Sequence, residues 1–147
     1  MGDSEKDFDW KGEAGDKFAL ANPSTAEGQD QEMLNYFKST GSDIFKAALE
    51  SLKSNSFPDF EVAKVIDVGC SSGGKLAILK SLGFNPQNLH GVDLSPKAIS
   101  VTKENHPKFH VQEINGFDYN VFQNEDGFDL VYHSAVFCQI PEENYTK

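Results

Sequence analysis

A glycine-rich turn between an apolar strand and a helix constrains the fold of this chain more than any other feature. The segment VIDVGCSSGGKLAIL spans residues 65–79, and an acid, Asp67, stands two residues before the first glycine. Gly73 and Gly74 end the turn. A tight strand-to-helix turn uses backbone angles that a Cβ disfavours, and the helix that follows presents free N–H groups to a ligand. We therefore predict a ligand-binding loop formed by four residues: Gly69, Cys70, Ser71 and Gly73.

A second predicted strand also ends in an acid. In LHGVDLSPKAIS, residues 89–100, Asp93 lies 26 residues after Asp67, which suits one strand–helix–strand unit. In a right-handed crossover, the ends of the two strands meet at the carboxyl edge of a parallel sheet. A carboxylate there can accept hydrogen bonds from both hydroxyls of a ribose, so we predict that Asp93 and its neighbour Leu94 bind a nucleoside. The alternative is a solvated acid at a helix N-terminus.

The middle of the glycine turn bears on the identity of this nucleoside. A dinucleotide fold has glycines at the first, third and sixth positions of the turn, and this chain has Ser71 at the third. Asp67 would also repel a pyrophosphate. S-adenosylmethionine has no phosphate and carries a cationic ammonium and sulfonium, so charge favours it as the cofactor, with Asp67 among the residues that bind it. NAD or a nucleotide sugar is the weaker alternative.

Three segments resemble the motifs of one known family. VIDVGCSSGG is similar to the first motif of class I S-adenosylmethionine-dependent methyltransferases, and GVDLSP is similar to their second. FDLVYHSAVFCQIP, residues 128–141, resembles the motif of their fourth strand. The resemblance covers residues 64–141 and implies an enzyme that transfers a methyl group from S-adenosylmethionine.

A narrower resemblance concerns the N-terminal segment DWKGEAGDKFALANP. It resembles the opening pattern of methylases associated with pseudaminic acid or surface-polysaccharide biosynthesis. The residues that carry this pattern are Trp10, Gly12, Gly15, Phe18 and Asn22. Those methylases usually have tyrosine in place of Phe18 and arginine in place of Ala21, so this chain lacks one fixed charge. The resemblance implies a small-molecule or sugar-type methyl acceptor.

The family resemblance also implies roles for residues after the third and fourth strands. In the family, a polar pair after the third strand contacts the adenine amino group and a neighbour covers the ring; the matching residues are Asn115, Gly116 and Phe117. A plain turn is the alternative. His133 would lie near the transferable methyl group, in the cofactor site and as a general base for an oxygen nucleophile, since histidine titrates near neutral pH. The alternative is that His133 only packs at the strand end.

The charge balance disfavours several classes of function. The chain has 147 residues, with 23 acids, 13 bases and a formal net charge of −10. Nucleic-acid binding rests on clustered lysine and arginine, so we expect no nucleic-acid partner. No long apolar run or basic signal peptide occurs, so we expect no membrane association. No metal-ligand spacing occurs, so we expect no metal, and the use of two cysteines indicates a reducing, cytoplasmic compartment.

The alternation of strands and helices predicts an α/β fold with a doubly wound, mostly parallel, Rossmann-like sheet of the methyltransferase type. The predicted helices cover residues 27–38, 42–54, 75–81 and 96–104, and the predicted strands cover residues 63–68, 109–113 and 128–132, with another from residue 89. We expect residues 1–26 to form a polar arm or lid. Residues 27–147 would then form the S-adenosylmethionine-binding domain, incomplete at about four strands and ending before the fifth of the family's seven.

An incomplete sheet would leave its fourth strand as an exposed apolar edge, which favours association. We therefore expect self-association or a partner chain at this edge. Two functions remain open. The chain is either the cofactor-binding portion of a methyltransferase or a non-catalytic module, or fragment, that binds S-adenosylmethionine or S-adenosylhomocysteine and needs a partner chain.

Overall fold

A parallel sheet of four strands organises the chain in the computed structural model, which describes residues 9–53, 56–115, 122 and 126–134. In chain order, the strands are β1 (Val65–Val68), β2 (Leu89–Asp93), β3 (His110–Glu113) and β4 (Leu130–His133). Their order in space is β3-β2-β1-β4, and each neighbouring pair is parallel. The predicted α/β fold and its four strands are confirmed.

Five α-helices accompany the strands in the part of the chain that the structure describes. They are α1 (Glu13–Ala21), α2 (Ala26–Phe37), α3 (Gly41–Lys53), α4 (Gly74–Ser81) and α5 (Pro96–Asn105). The last four agree with the predicted helices to within a few residues, whereas α1 lies in the segment expected to be a polar arm. Local capping explains two of the starts, because Thr25 accepts a hydrogen bond from the Gly28 N–H and Ser95 accepts one from the Ala98 N–H. Among the described residues, no helix has the length and apolar composition needed to cross a bilayer.

The larger hydrophobic core lies on one face of the sheet. Alternate strand residues such as Val65 and Leu89 pack there against Leu76 and Leu79 of α4, and all four side chains are fully buried. Phe84, which follows α4, stacks on Phe60 with ring centroids 4.2 Å apart. Because strand side chains alternate between faces, this core also fixes which residues point the other way.

A smaller cluster covers the opposite face of the sheet. Ile66, Val92 and Ile114 are buried in it. His90 belongs to the same face, is 3% exposed, and stacks on His110 with ring centroids 5.0 Å apart. His90 is therefore a packing residue of the sheet.

The fourth strand forms one edge of the sheet in the described ranges. It pairs with β1 from Val65↔Leu130 to Val68↔His133. Val131 points away from the main core and is 62% exposed. This register places the carboxyl end of β4 beside the carboxyl end of β1, where the glycine loop begins.

Candidate functional site

The glycine loop joins β1 to α4 at the carboxyl edge of the sheet. The N–H groups of Gly69 and Cys70 both donate to the Val92 carbonyl, at 2.8 and 2.9 Å, so the loop turns toward β2. Gly69 and Gly73 have φ angles of 80° and 82°, in the left-handed region that favours glycine. A Cβ on Gly73 would also stand 2.8 Å from Cγ2 of Thr102. The loop therefore needs glycine for both its backbone angle and its close packing.

Ser71 adopts the same left-handed conformation without being glycine, with a φ of 49°. Three hydrogen bonds hold it. Its N–H donates to Oδ2 of Asp93 at 2.8 Å, and its carbonyl accepts from the Thr102 hydroxyl at 3.0 Å. Its own hydroxyl accepts from Nδ2 of Asn22 at 2.8 Å. Since a non-glycine residue in this region is strained by about 1–2 kcal/mol, these contacts stabilise the conformation of the loop.

Asp93 connects the loop to the start of α5. Besides the Ser71 bond, its Oδ1 accepts from the Ser95 N–H at 2.8 Å. Burial raises the pKa of Asp93, and these backbone hydrogen bonds act in the opposite direction. Each carboxylate oxygen has a second lone pair, so Asp93 can hold the loop and still accept a ligand hydroxyl. Its neighbour Leu94 is half-buried and packs against the smaller cluster.

Asp67 is unusual among the acids of the site because its carboxyl group is fully buried. It is 1% exposed, and neither carboxylate oxygen has a hydrogen-bond partner among the described residues. Burial raises the pKa of Asp67 to about 7, against an opposing influence from Lys75 and the Tyr132 hydroxyl. Tyr132 of β4 pairs in register with Asp67 of β1. The Tyr132 hydroxyl and the Asp67 carboxylate are nevertheless not in hydrogen-bond geometry. A buried carboxyl of this kind favours a proton or a cationic partner.

The N-terminal clasp, which we define as residues 9–25, packs over the glycine loop. The Ser72 hydroxyl donates to the carbonyl of Ala19 in α1, and a Cβ on Gly74 would collide with the carbonyl oxygen of Pro23. At the other end of the clasp, Nζ of Lys11 donates to Oδ1 of Asn115 at 2.8 Å, just beyond β3. The clasp thus contacts both the loop and the end of the third strand.

The shape of the clasp accounts for the N-terminal residue pattern. The rings of Trp10 and Phe18 meet edge to face, with centroids 5.1 Å apart. A Cβ on Gly15 would collide with the main chain of Trp10, so glycine is needed for this close approach. Asn22 supplies the bond to Ser71. The sequence pattern singles out these residues, and the structure connects them to the loop.

Comparison with known proteins assigns the family. Residues 59–146 match a family model described as "Methyltransferase domain", which is more than half of the chain. The chain belongs to this family. A curated protein of Methanobrevibacter smithii named "Probable cobalt-precorrin-6B C(15)-methyltransferase (decarboxylating)" is 37% identical over 71 residues, 46% of this chain and 36% of that protein. The chain thus spans about a third of the length of that curated relative.

This chain is also similar to parts of solved structures. One is a TehB-like SAM-dependent methyltransferase from Corynebacterium glutamicum, with 22% identity, a TM-score of 0.47, and coverage of 69% of this chain and 59% of that one. Another was solved for the conversion of a disulfide bond into a thioacetal group during echinomycin biosynthesis. It has 26% identity and a TM-score of 0.45, with coverage of 61% and 36% of the two chains.

The cofactor of this methyltransferase family is S-adenosylmethionine. The family therefore favours S-adenosylmethionine over NAD as the ligand of this site. The residues of the site also fit such a ligand, independently of the family match. The buried Asp67 carboxyl has no described partner, and the cofactor carries two cationic groups. The individual roles predicted for the loop residues and for Asp93 stay predictions.

Cys70 has a packing role in this methyltransferase loop. The thiol is buried, and burial, with the nearby Asp67 and Asp93 carboxyls, raises its pKa well above the ordinary range. It therefore stays protonated and is a poor nucleophile. A Cβ on Gly91 would stand 2.8 Å from the Cys70 sulfur, so the thiol fills the space that this glycine leaves.

The remaining predicted site residues lie at the ends of β3 and β4. Asn115 is exposed and held by Lys11, whereas Gly116 and Phe117 lie outside the described residues. His133 is the last residue of β4, is exposed, and pairs in register with Val68. The structure therefore brings His133 to the edge of the sheet that carries the glycine loop, while its catalytic role stays a prediction.

Proposed function

We propose that this chain is the cofactor-binding part of an S-adenosylmethionine-dependent methyltransferase that acts on a small-molecule or sugar-type acceptor. The observation that carries the proposal is the buried Asp67 carboxyl, which has no described partner beside a glycine loop of fixed conformation. A cation is the partner that such a group favours. The family membership of residues 59–146 supports the same cofactor.

The residues of the site would bind and orient the reactants. When bound, S-adenosylmethionine supplies a methyl group on a positively charged sulfur. Asp67 would hold the ammonium group, and Asp93 would accept hydrogen bonds from the ribose hydroxyls. His133 would accept the proton of an acceptor hydroxyl on a ring nitrogen, as a general base. Fixing the reactants in line would provide most of the rate enhancement.

Three observations support a small acceptor. The net charge of −10 disfavours a nucleic-acid substrate. The curated relative is named for a cobalt-precorrin, which is a small molecule, and the N-terminal residue pattern resembles that of polysaccharide-associated methylases. A sugar-type acceptor therefore agrees with the N-terminal residue pattern and with the charge of the chain.

A second candidate function is a module that binds the adenosyl ligand and needs a partner chain for catalysis. The exposed Val131 on β4 offers an apolar strand edge at which a second copy or another chain would add. The association of a second chain at β4 is therefore part of this second proposal.

Calorimetric titration with S-adenosylhomocysteine tests the shared part of both candidates. Saturable binding by the 147-residue chain is the expected result. A folded chain that fails to bind would contradict both. Methyl transfer to sugar or small-molecule acceptors then separates them, and His133→Ala should slow transfer to a hydroxyl by about 100-fold or more without weakening cofactor binding. Equal rates in the variant would reject the general-base role.

A further inference from the structure

A hydrogen bond joins the N-terminal clasp to the glycine loop across 49 residues of sequence, from Nδ2 of Asn22 to Oγ of Ser71. Asn22 directly follows α1, and its backbone N–H donates to the Phe18 carbonyl at 3.0 Å. The end of a helix therefore fixes the position of the Asn22 side chain.

Ser71 is the loop residue that needs such support. Three loop positions have a positive φ, and at two of them, Gly69 and Gly73, glycine adopts that angle without strain. At the third, Ser71 has a Cβ that disfavours its φ of 49°. The Asp93 and Thr102 bonds fix its main chain, and the Asn22 amide is the contact that holds its side chain.

We propose that Asn22 is a positioning residue for the cofactor site, which acts by holding Ser71 in the left-handed conformation that the loop needs to bind the cofactor. The inference rests on the proposed function for the identity of the ligand. Asn22 acts through Ser71, so its contribution to binding exists only while position 71 carries a side chain that strains the loop.

The clasp has other attachments that do not pass through Ser71. Nδ2 of Asn105 donates to the Ser24 hydroxyl at 3.0 Å, and the His106 ring contacts the Ser24 carbonyl at 2.5 Å. The Asn105 bond links an asparagine amide to a serine hydroxyl, as the Asn22 bond does. Asn105→Ala is therefore a matched control that loosens the clasp without releasing the loop.

A double-mutant cycle measures the dependence on Ser71. Asn22→Ala should weaken S-adenosylhomocysteine binding roughly fivefold, the effect of one net hydrogen bond. In a Ser71→Gly background, where glycine adopts the loop conformation without support, Asn22→Ala should change the affinity by less than about twofold. Asn105→Ala should leave the affinity unchanged. Equal weakening by Asn22→Ala in both backgrounds, or no weakening in the Ser71 background, would overturn the proposal.

A readout without ligand separates this inference from the proposed function. The Ser71 N–H donates to Asp93, so its hydrogen exchange by NMR reports opening of the loop. Asn22→Ala should speed this exchange roughly fivefold, and Asn105→Ala should not. Unchanged exchange in Asn22→Ala would overturn the hold of Asn22 on the loop. Absence of binding by the folded wild-type chain would overturn the proposed function, while the exchange result would still decide this point.

Discussion

Asp67 and Tyr132 lie opposite each other on the central strand β1 and the edge strand β4, and both bury polar atoms without a described hydrogen-bond partner. Burial raises the pKa of both side chains, and the charge of Asp67 raises that of Tyr132 further. Burying the Asp67 carboxyl without a partner lowers the stability of the ligand-free protein. The same carboxyl becomes useful when a cation reaches it.

The pH dependence of folding should report Asp67. Its pKa of about 7 in the folded chain exceeds its ordinary value of 3.8, so the folded state retains a proton that the unfolded state has lost. The free energy of unfolding should therefore fall as the pH rises from about 4 to about 7, by up to roughly 4 kcal/mol. Asp67→Asn should remove this slope in urea denaturation measured across that range. Asp126→Asn, a change at an exposed acid, is the control and should leave the slope in place. A slope that survives in Asp67→Asn would contradict the prediction.

Cofactor binding should depend on pH for the same reason. A cation at Asp67 favours the ionised carboxyl, so binding below the pKa of about 7 should release a proton. We expect affinity for S-adenosylhomocysteine, which retains the ammonium, to rise about tenfold between about pH 6 and about pH 8. Calorimetry in buffers with different ionisation enthalpies measures the proton release. Asp67→Asn should bind more weakly and without this pH dependence; an unchanged pH profile would remove Asp67 from the site.

Asp93→Ala should affect both the loop and the ligand. The N–H groups of Ser71 and Ser95 would lose a carboxylate acceptor, which we expect to cost about 2 kcal/mol of stability. Affinity for S-adenosylhomocysteine should fall at least about tenfold, since a ribose contact is lost as well. Asp129→Ala is the control, because Asp129 accepts a backbone bond from Lys64 at 2.8 Å outside the loop. Equal affinities in the two variants would reject the ribose role.

Two glycines separate backbone strain from steric collision. Gly73 and Gly83 both have positive φ angles, but a Cβ on Gly83 would meet nothing within 4 Å. Gly83→Ala should therefore destabilise the chain by about 1 kcal/mol, through its backbone angle alone. Gly73→Ala, whose Cβ also meets Thr102, should cost about 2–3 kcal/mol in the same denaturation experiment. Equal losses would mean that the loop relaxes around the added methyl group.

The sequence predicts the sheet and its flanking helices well because local patterns determine them. Apolar strands that end in an acid, such as the one that ends at Asp93, are visible as short runs, and the Ser95 cap marks the start of a helix. The helix α1 was not predicted because its buried residues are Gly15 and Ala19. Such small side chains leave no hydrophobic period in the sequence.

Other features of the site depend on contacts between distant residues. The left-handed conformation of Ser71 and its bond to Asn22 join two segments that no local pattern connects. Likewise, the burial of the Asp67 carboxyl without a hydrogen-bond partner in the described part of the chain is a property of the three-dimensional structure. The spacing of residues in the sequence therefore predicts the positions of the acids and of the loop, while the contacts that support the loop and the raised pKa of Asp67 follow only from the structure.

The attachment of the clasp has a practical consequence for how this chain can be divided. A cut after residue 26, where composition suggests a boundary, would leave the four described strands of the sheet in place. It would also remove the Asn22 amide, the Ala19 carbonyl and the Lys11 ammonium from their contacts with Ser71, Ser72 and Asn115. The shortened protein would retain the scaffold of the site without the segment that shapes its loop.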